Sequence, residues 1–211
     1  MRRLPIYLLM DTSGSMRGEP IEAVKVGLQA MLTSLRQDPQ ALETVHLSLI
    51  TFDKDIKVLV PLSPLELFKL PVLETPDSGP THLGAALEEL CHRVDSEVLR
   101  STPDVKGDWM PMLFVLTDGS PSDKMAYREV IPKVRSRGFS TIIACAAGSK
   151  AKTDELQPLA DTVVTLDTMD AGTFATYFKW VSATIGSGSN SVGSAFSATL
   201  PAPPPEVHVV V

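Results

Sequence analysis

The run Leu4-Pro5-Ile6-Tyr7-Leu8-Leu9-Met10 constrains this chain more than any other segment. It is continuously apolar rather than alternating, and it holds no turn residue except Pro5 near its start. A short strand with that pattern must be covered on both faces, as a central strand is when helices pack above and below its sheet. The run then stops at Asp11-Thr12-Ser13-Gly14-Ser15, a polar cluster at the strand's carboxyl end. Met1-Arg2-Arg3 before it resembles the front of a secretion signal, but Asp11 interrupts the apolar stretch too early for one.

Strand and helix signals alternate from there. Gly18, Glu19 and Pro20 start a helix, with an acidic residue and a proline in its first turn. Ile21, Val24, Leu28, Met31, Leu32 and Leu35 then recur as one apolar stripe. Val45 to Phe52 and Ile56 to Val60 read as two strands joined by the short Asp53-Lys54-Asp55 link, which requires an antiparallel pair. A helix is expected from Leu83 to Val98, a buried strand over Met110 to Thr117 and a helix around Met125 to Val134. A strand over Ser140 to Ala146, a short helix near Asp154 to Leu159 and a strand at Val163 to Leu166 follow. Phe174, Tyr177, Phe178, Val181 and Ile185 mark the last helix. This order predicts an α/β domain over residues 1–186: a doubly wound, mainly parallel six-stranded sheet with one antiparallel edge strand and helices on both faces.

Residues 187–211 read as a tail, first rich in glycine and serine, then nearly all proline over Pro201 to Pro205. Its end, Val207 to Val211, is a short apolar strand able to add to a sheet edge of this molecule or of another.

Composition narrows the function classes. With 211 residues, 44% hydrophobic and 21% charged, the chain suits one folded domain with a real core. A net charge of -6 leaves no basic field for nucleic acid or anionic membranes. No stretch approaches the roughly 20 apolar residues of a membrane span. Cys91 and Cys145 each fall in an apolar pattern, so a disulfide is not expected, and a thiolate or imidazole zinc site is poorly supported. A soluble, cytoplasmic protein is the expectation.

Three separated stretches carry the chemistry. Asp11, Ser13 and Ser15 alternate, so extended backbone would send their oxygens to one side, with Gly14 permitting a sharp bend. Thr117-Asp118-Gly119 ends the fourth strand. In a doubly wound sheet the first and fourth strands are neighbours where the winding reverses, and ligands sit outside their carboxyl ends. Ser78-Gly79-Pro80-Thr81 offers a further hydroxyl at a helix start. Two carboxylates and three hydroxyls are hard oxygen donors, suited to magnesium, and also to manganese or calcium, rather than zinc or copper. They only just balance a dication, which would keep a water that an acidic group from another molecule could replace.

Asp11, Ser13, Ser15, Thr81 and Asp118, in that order, resemble the metal-ion-dependent adhesion site of the von Willebrand factor A family, whose Rossmann-like fold agrees with the element order over residues 4 to about 185. The resemblance implies direct ligation by Ser13 and Ser15, with Thr81 joining when ligand is bound. Asp11 and Asp118 would act largely through water, and a carboxylate from a partner protein would complete the octahedron. His82 after Thr81 departs from the small polar residue more usual in the family. Lys106-Gly107-Asp108-Trp109 and Phe178-Lys179-Trp180-Val181-Ser182 are similar to the bacterial TerY-like branch associated with tellurium resistance and stress response. That implies a partner resembling a protein kinase or phosphatase of the same system.

The expected function is therefore a metal-dependent protein-binding module without catalysis. The alternatives are a magnesium-dependent phosphotransfer enzyme and a metal-free structural module. For the first, Asp11 at the end of a first strand resembles haloacid-dehalogenase-type phosphatases, but these need a second aspartate where this chain has Ser13. A phosphate-cradling Gly-x-x-x-x-Gly-Lys loop and a Gly-x-Ser-x-Gly elbow are also missing from the sequence. Met16 suits either the rim of the site or the core. Asp53 and Asp55 read as turn residues, Asp123 as a helix-start residue, His92 as part of a solvated helix face, and Trp109 and Trp180 as packing residues.

Overall fold

The computed structural model describes residues 2–148, 151–190 and 200–210. Its strands are β1 (Leu4–Asp11), β2 (Val45–Phe52), β3 (Ile56–Pro64), β4 (Met112–Thr117), β5 (Thr141–Ala147), β6 (Thr162–Leu166) and β7 (Val207–Val210). Its helices are α1 (Glu19–Gln37), α2 (Pro39–Thr44), α3 (Leu83–Glu97), α4 (Lys124–Arg135), α5 (Thr153–Leu156) and α6 (Ala171–Asn190). The strands form one 7-stranded sheet in the order β3-β2-β1-β4-β5-β6-β7. From β2 through β6 neighbours run parallel, while β3 and β7 pair antiparallel at the two edges. β1 lies between β2 and β4, so the winding reverses there and the carboxyl ends of β1 and β4 are side by side.

Every residue of β1 is buried, and alternate residues serve opposite layers. Leu4, Ile6, Leu8 and Met10 pack into the layer made by α1 and α6, with Met112, Phe114 and Leu116 of β4. Tyr7 and Leu9 turn to the α3 and α4 side with Leu113 and Val115. Burying each such side chain is worth roughly 1.5–3 kcal/mol, which is why a continuous apolar run selects this central place. Cys145 belongs to the first layer and Cys91 to the second, so the sheet separates the two thiols.

Two expectations change. The sheet has seven strands rather than six, because the tail strand Val207–Val210 docks on the chain's own β6 and gives a second antiparallel edge. The last helix also runs past residue 186 to Asn190. Ser187 and Ser189 return their hydroxyls to the carbonyls of Ala183 and Gly186 at 2.9 Å, which satisfies these polar groups inside the helix. The remainder of the glycine- and serine-rich stretch, 191–199, lies outside the described residues. Leu200 packs on the core, and the Trp180 indole donates to the Pro201 carbonyl at 2.9 Å, so the tail is fastened before β7 begins.

At the amino ends of the parallel strands, charges are matched in pairs. Arg3 donates to Asp108 (2.8 Å) and to the Glu97 carbonyl (2.8 Å), and Asp108 also accepts from the Leu99 amide (2.8 Å). The Arg2 guanidinium lies 3.7 Å above the Trp109 ring. Glu97 collects the Tyr7 hydroxyl (3.1 Å), the Leu62 amide (3.2 Å) and the Arg93 guanidinium.

Candidate metal centre

At the opposite pole, β1 ends in Asp11 and hands over to Ser13, whose backbone is extended (φ -59, ψ 166). Gly14, Ser15 and Met16 then form a single 3-10 turn rather than continued extended chain. Gly14 is not needed for a left-handed bend, since the positive-φ glycines among the described residues are Gly18, Gly138 and Gly148. It is needed for space: a Cβ there would sit 2.6 Å from the Cα of Ser78. This close approach seats the 77–79 loop against the turn, reinforced by the Arg17–Asp77 ion pair at the surface. Met16 is fully buried in the α1 and α6 layer, which settles its role as packing.

The oxygens converge. Asp11 is wholly buried; one carboxylate oxygen accepts from the Ser13 amide at 2.8 Å and the other from the Thr117 hydroxyl at 2.6 Å. The Ser13 and Ser15 hydroxyls are 3.2 Å apart, and Ser15 donates to Asp118 Oδ1 at 2.8 Å. Asp118 and Ser13 are buried, and Ser15 is exposed at the mouth. Burial pushes the Asp11 carboxyl up to about 6, against the hydrogen bonds from Ser13 and Thr117 that favour its charged form, and the neighbouring Asp118 adds to the rise.

Thr81 reaches the same pole by a different route. Its amide donates to the Ser122 hydroxyl at 3.0 Å and its carbonyl accepts from the Ser122 amide at 2.8 Å. Its hydroxyl lies 3.7 Å from where a methyl group on Gly119 would be, beside Asp118. Thr81 does not cap α3, which begins at Leu83 with His82 at the cap position. That work falls to Asp123, whose carboxylate accepts from the Gly84 and Ala85 amides at 3.1 and 2.9 Å. Asp123 does sit at a helix start, but the helix it caps is α3 rather than the α4 that follows it.

Asp53 is more than a turn residue. Only 5% exposed, it accepts from the Thr12 hydroxyl at 3.0 Å and the Asp55 amide at 2.8 Å, while its carbonyl accepts from the His82 amide at 2.9 Å. It thereby ties the loop after β1 to the segment carrying Thr81. The His82 ring is within 3.1 Å of the Lys54 carbonyl and belongs to the same tie. The available signal was positional: Asp53 directly follows β2, whose carboxyl end shares this pole.

Among the described residues, no three or more of His, Cys, Asp and Glu cluster as a metal site. Any ion here would be held by two carboxylates and three hydroxyls, a hard-oxygen set. The spacing suits a small ion. Oxygens about 2.0–2.1 Å from a cation at the corners of an octahedron are about 3 Å apart along an edge. The Ser13, Ser15 and Asp118 oxygens already lie 3.2 and 2.8 Å apart.

Comparison with known proteins places this geometry in a wider setting. Among solved structures, a von Willebrand factor type A protein from Catenulispora acidiphila superposes with a TM-score of 0.65 at 18% identity, over 88% of this chain and 43% of that one. The pilus adhesin SpaC of Lactobacillus rhamnosus GG gives 0.70 at 15% identity, over 89% and 30%. Proximal thread matrix protein 1 of the mussel byssus, solved with a zinc-occupied MIDAS motif, gives 0.63 at 16%, over 87% and 48%. At these identities the likeness is one of fold, and the chain spans less than half the length of each of these three. No curated protein sequence matches it. The sequence pattern of the von Willebrand factor type A domain matches residues 6–176, from inside β1 into α6, and the chain belongs to that family.

Proposed function

We propose that the chain is a metal-dependent protein-binding module. One divalent cation, magnesium by preference and manganese or calcium as substitutes, would be held by Asp11, Ser13, Ser15, Thr81 and Asp118. When bound, the cation supplies an electrophilic site for a carboxylate from a partner protein. The observation that carries this reading is the hydrogen-bonded chain from Asp11 through Ser13 and Ser15 to Asp118, which joins two strand ends. Asp11 engages both its oxygens in orienting Ser13 and Thr117, so its part is to fix the hydroxyls and supply charge. The family itself supports protein binding as the role, and the zinc found in the mussel protein supports a metal-binding use of the motif.

The reading includes no catalytic step. Ser13 stands where a phosphotransfer enzyme would place its second aspartate, and its hydroxyl is committed to Ser15. A cytoplasmic home is part of the proposal, supported by two cysteines that are free and held on opposite sides of the sheet. No helix among the described residues is long and apolar enough to cross a membrane.

The finer assignment, to a tellurium-resistance system of the TerY type with a kinase- or phosphatase-like partner, is supported by two short segments alone. In the fold both do packing work away from the metal centre: Asp108 and Trp109 hold Arg3 and Arg2, and Trp180 holds the tail. The deciding experiment is a pull-down from lysate with and without chelator, comparing wild type with Ser13→Ala. Partner capture that chelator and Ser13→Ala both abolish supports the reading. Capture indifferent to both overturns it.

A further inference from the structure

The two edges of the sheet are built differently. β3 carries Lys57, Pro61 and Pro64 and is interrupted by two register shifts against β2, between Leu47 and Leu49 and between Leu49 and Ile50. Each of these discourages another strand from adding to it. β7 has none of them and is blunted only by its length of 4 residues. It is a regular Val207-His208-Val209-Val210 strand with no lysine, proline or bulge, and among the described residues nothing pairs with its outer side. Val209 is 42% exposed, one of nine large apolar side chains exposed among the described residues. The strand lies outside residues 6–176, the stretch matched to the family.

From this we infer that β7 is the contact by which two copies of this chain pair, edge to edge and antiparallel, into one continuous sheet. A second β7 fits this edge. The inner side of β7 already pairs antiparallel with a valine-rich strand, Val164 opposite Val209 and Val163 opposite Val210, and a second β7 offers the same chemistry. The strand carries no Asp, Glu, Lys or Arg, so two copies meet along a line free of like charge although each whole chain carries -6.

Symmetry fixes the register. A twofold axis perpendicular to the sheet keeps each face continuous, so opposed residues must point to the same side, and a residue must lie opposite its own copy. Centring on Val209 sets the two exposed valines against each other and His208 beside Val210. Centring on His208 would instead oppose two imidazoles, each of which faces Asp167 of its own chain at 3.1 Å. The dimer therefore takes the Val209 register. So short a strand supports a weak, concentration-dependent dimer.

The test is sedimentation equilibrium of the full chain from low micromolar to near-millimolar concentration, in wild type and Val209→Lys, with oxidative cross-linking of Val209→Cys. Wild type is expected to move from monomer to dimer. The lysine variant, with the same circular dichroism and melting temperature, is expected to stay monomeric, and the cysteine variant to form a disulfide-linked dimer; the native cysteines are both buried. A wild type that is monomeric throughout, a dimer untouched by Val209→Lys, or a folded Val209→Cys that does not cross-link would each overturn the inference.

Discussion

The two poles of the sheet handle buried charge in opposite ways. At the amino ends of the strands each carboxylate meets a cation or a backbone amide: Asp108 meets Arg3 and the Leu99 amide, and Glu97 meets Arg93 and the Leu62 amide. At the carboxyl ends Asp11 and Asp118 are buried among hydroxyls, near enough for the charge of one to raise the pKa of the other. The first arrangement is self-sufficient, and removing one member leaves the other stranded. The second holds a concentration of oxygen that a cation would relieve, so in the proposed function its cost to the folded chain would be recovered on binding. Charge is neutralised within the fold at one pole and left for the proposed cation at the other.

That contrast can be broken by mutation. Asp108→Ala should have the largest effect, about 3 kcal/mol of lost stability, because it abandons both the Arg3 guanidinium and the Leu99 amide. Urea denaturation measures it, and manganese affinity of the folded variant should not change. Asp118→Ala should do the reverse. Manganese binding by calorimetry is expected to weaken by about 100-fold, while the metal-free melting temperature holds or rises because a neighbour of the buried Asp11 charge is gone. A metal-free protein that melts well below wild type would show the two poles to be alike. The smallest effect should come from Asp53→Ala, which stands at the metal pole but acts as a brace. Its loss frees the Thr12 hydroxyl and the Asp55 amide, while the backbone bond to His82 stays, with manganese affinity falling roughly 10-fold and stability by about 1 kcal/mol. Equal affinity to wild type would remove Asp53 from any positioning role.

Much of the fold was legible because it rests on local pattern. β2 runs from Val45 to Phe52 as its apolar run suggests, and β1 extends its run only by Asp11. α1 starts where Gly18, with φ of 86, and the following Glu19 and Pro20 indicate. β3 outruns its apolar core to reach Pro64, since an edge strand tolerates prolines that an inner strand does not. α2 went unnoticed although Asp38-Pro39 is a strong start signal; the Asp38 carboxylate accepts from the Gln40 and Ala41 amides. It is one short turn and a half, below the length at which periodicity shows. What no local pattern carries is reach. Asp123 capping α3, Asp53 bracing Thr12, and Ser78 pressed on Gly14 all join residues dozens of positions apart, and only the folded chain reveals them. The valine-rich end was recognisable as a strand, but its partner depended on where β6 lay.

The bonding of Asp123 has a mechanical side. Thr81 is clasped to Ser122 through both its amide and its carbonyl, and the next residue, Asp123, grips the first turn of α3. The threonine, the loop beyond β4 and the helix are therefore fastened together. α3, at its 15 residues, is a rod about 22 Å long, and its far end is Glu97, bolted to Tyr7 and Leu62. One helix thus joins the loop that carries Thr81 to the floor of the sheet.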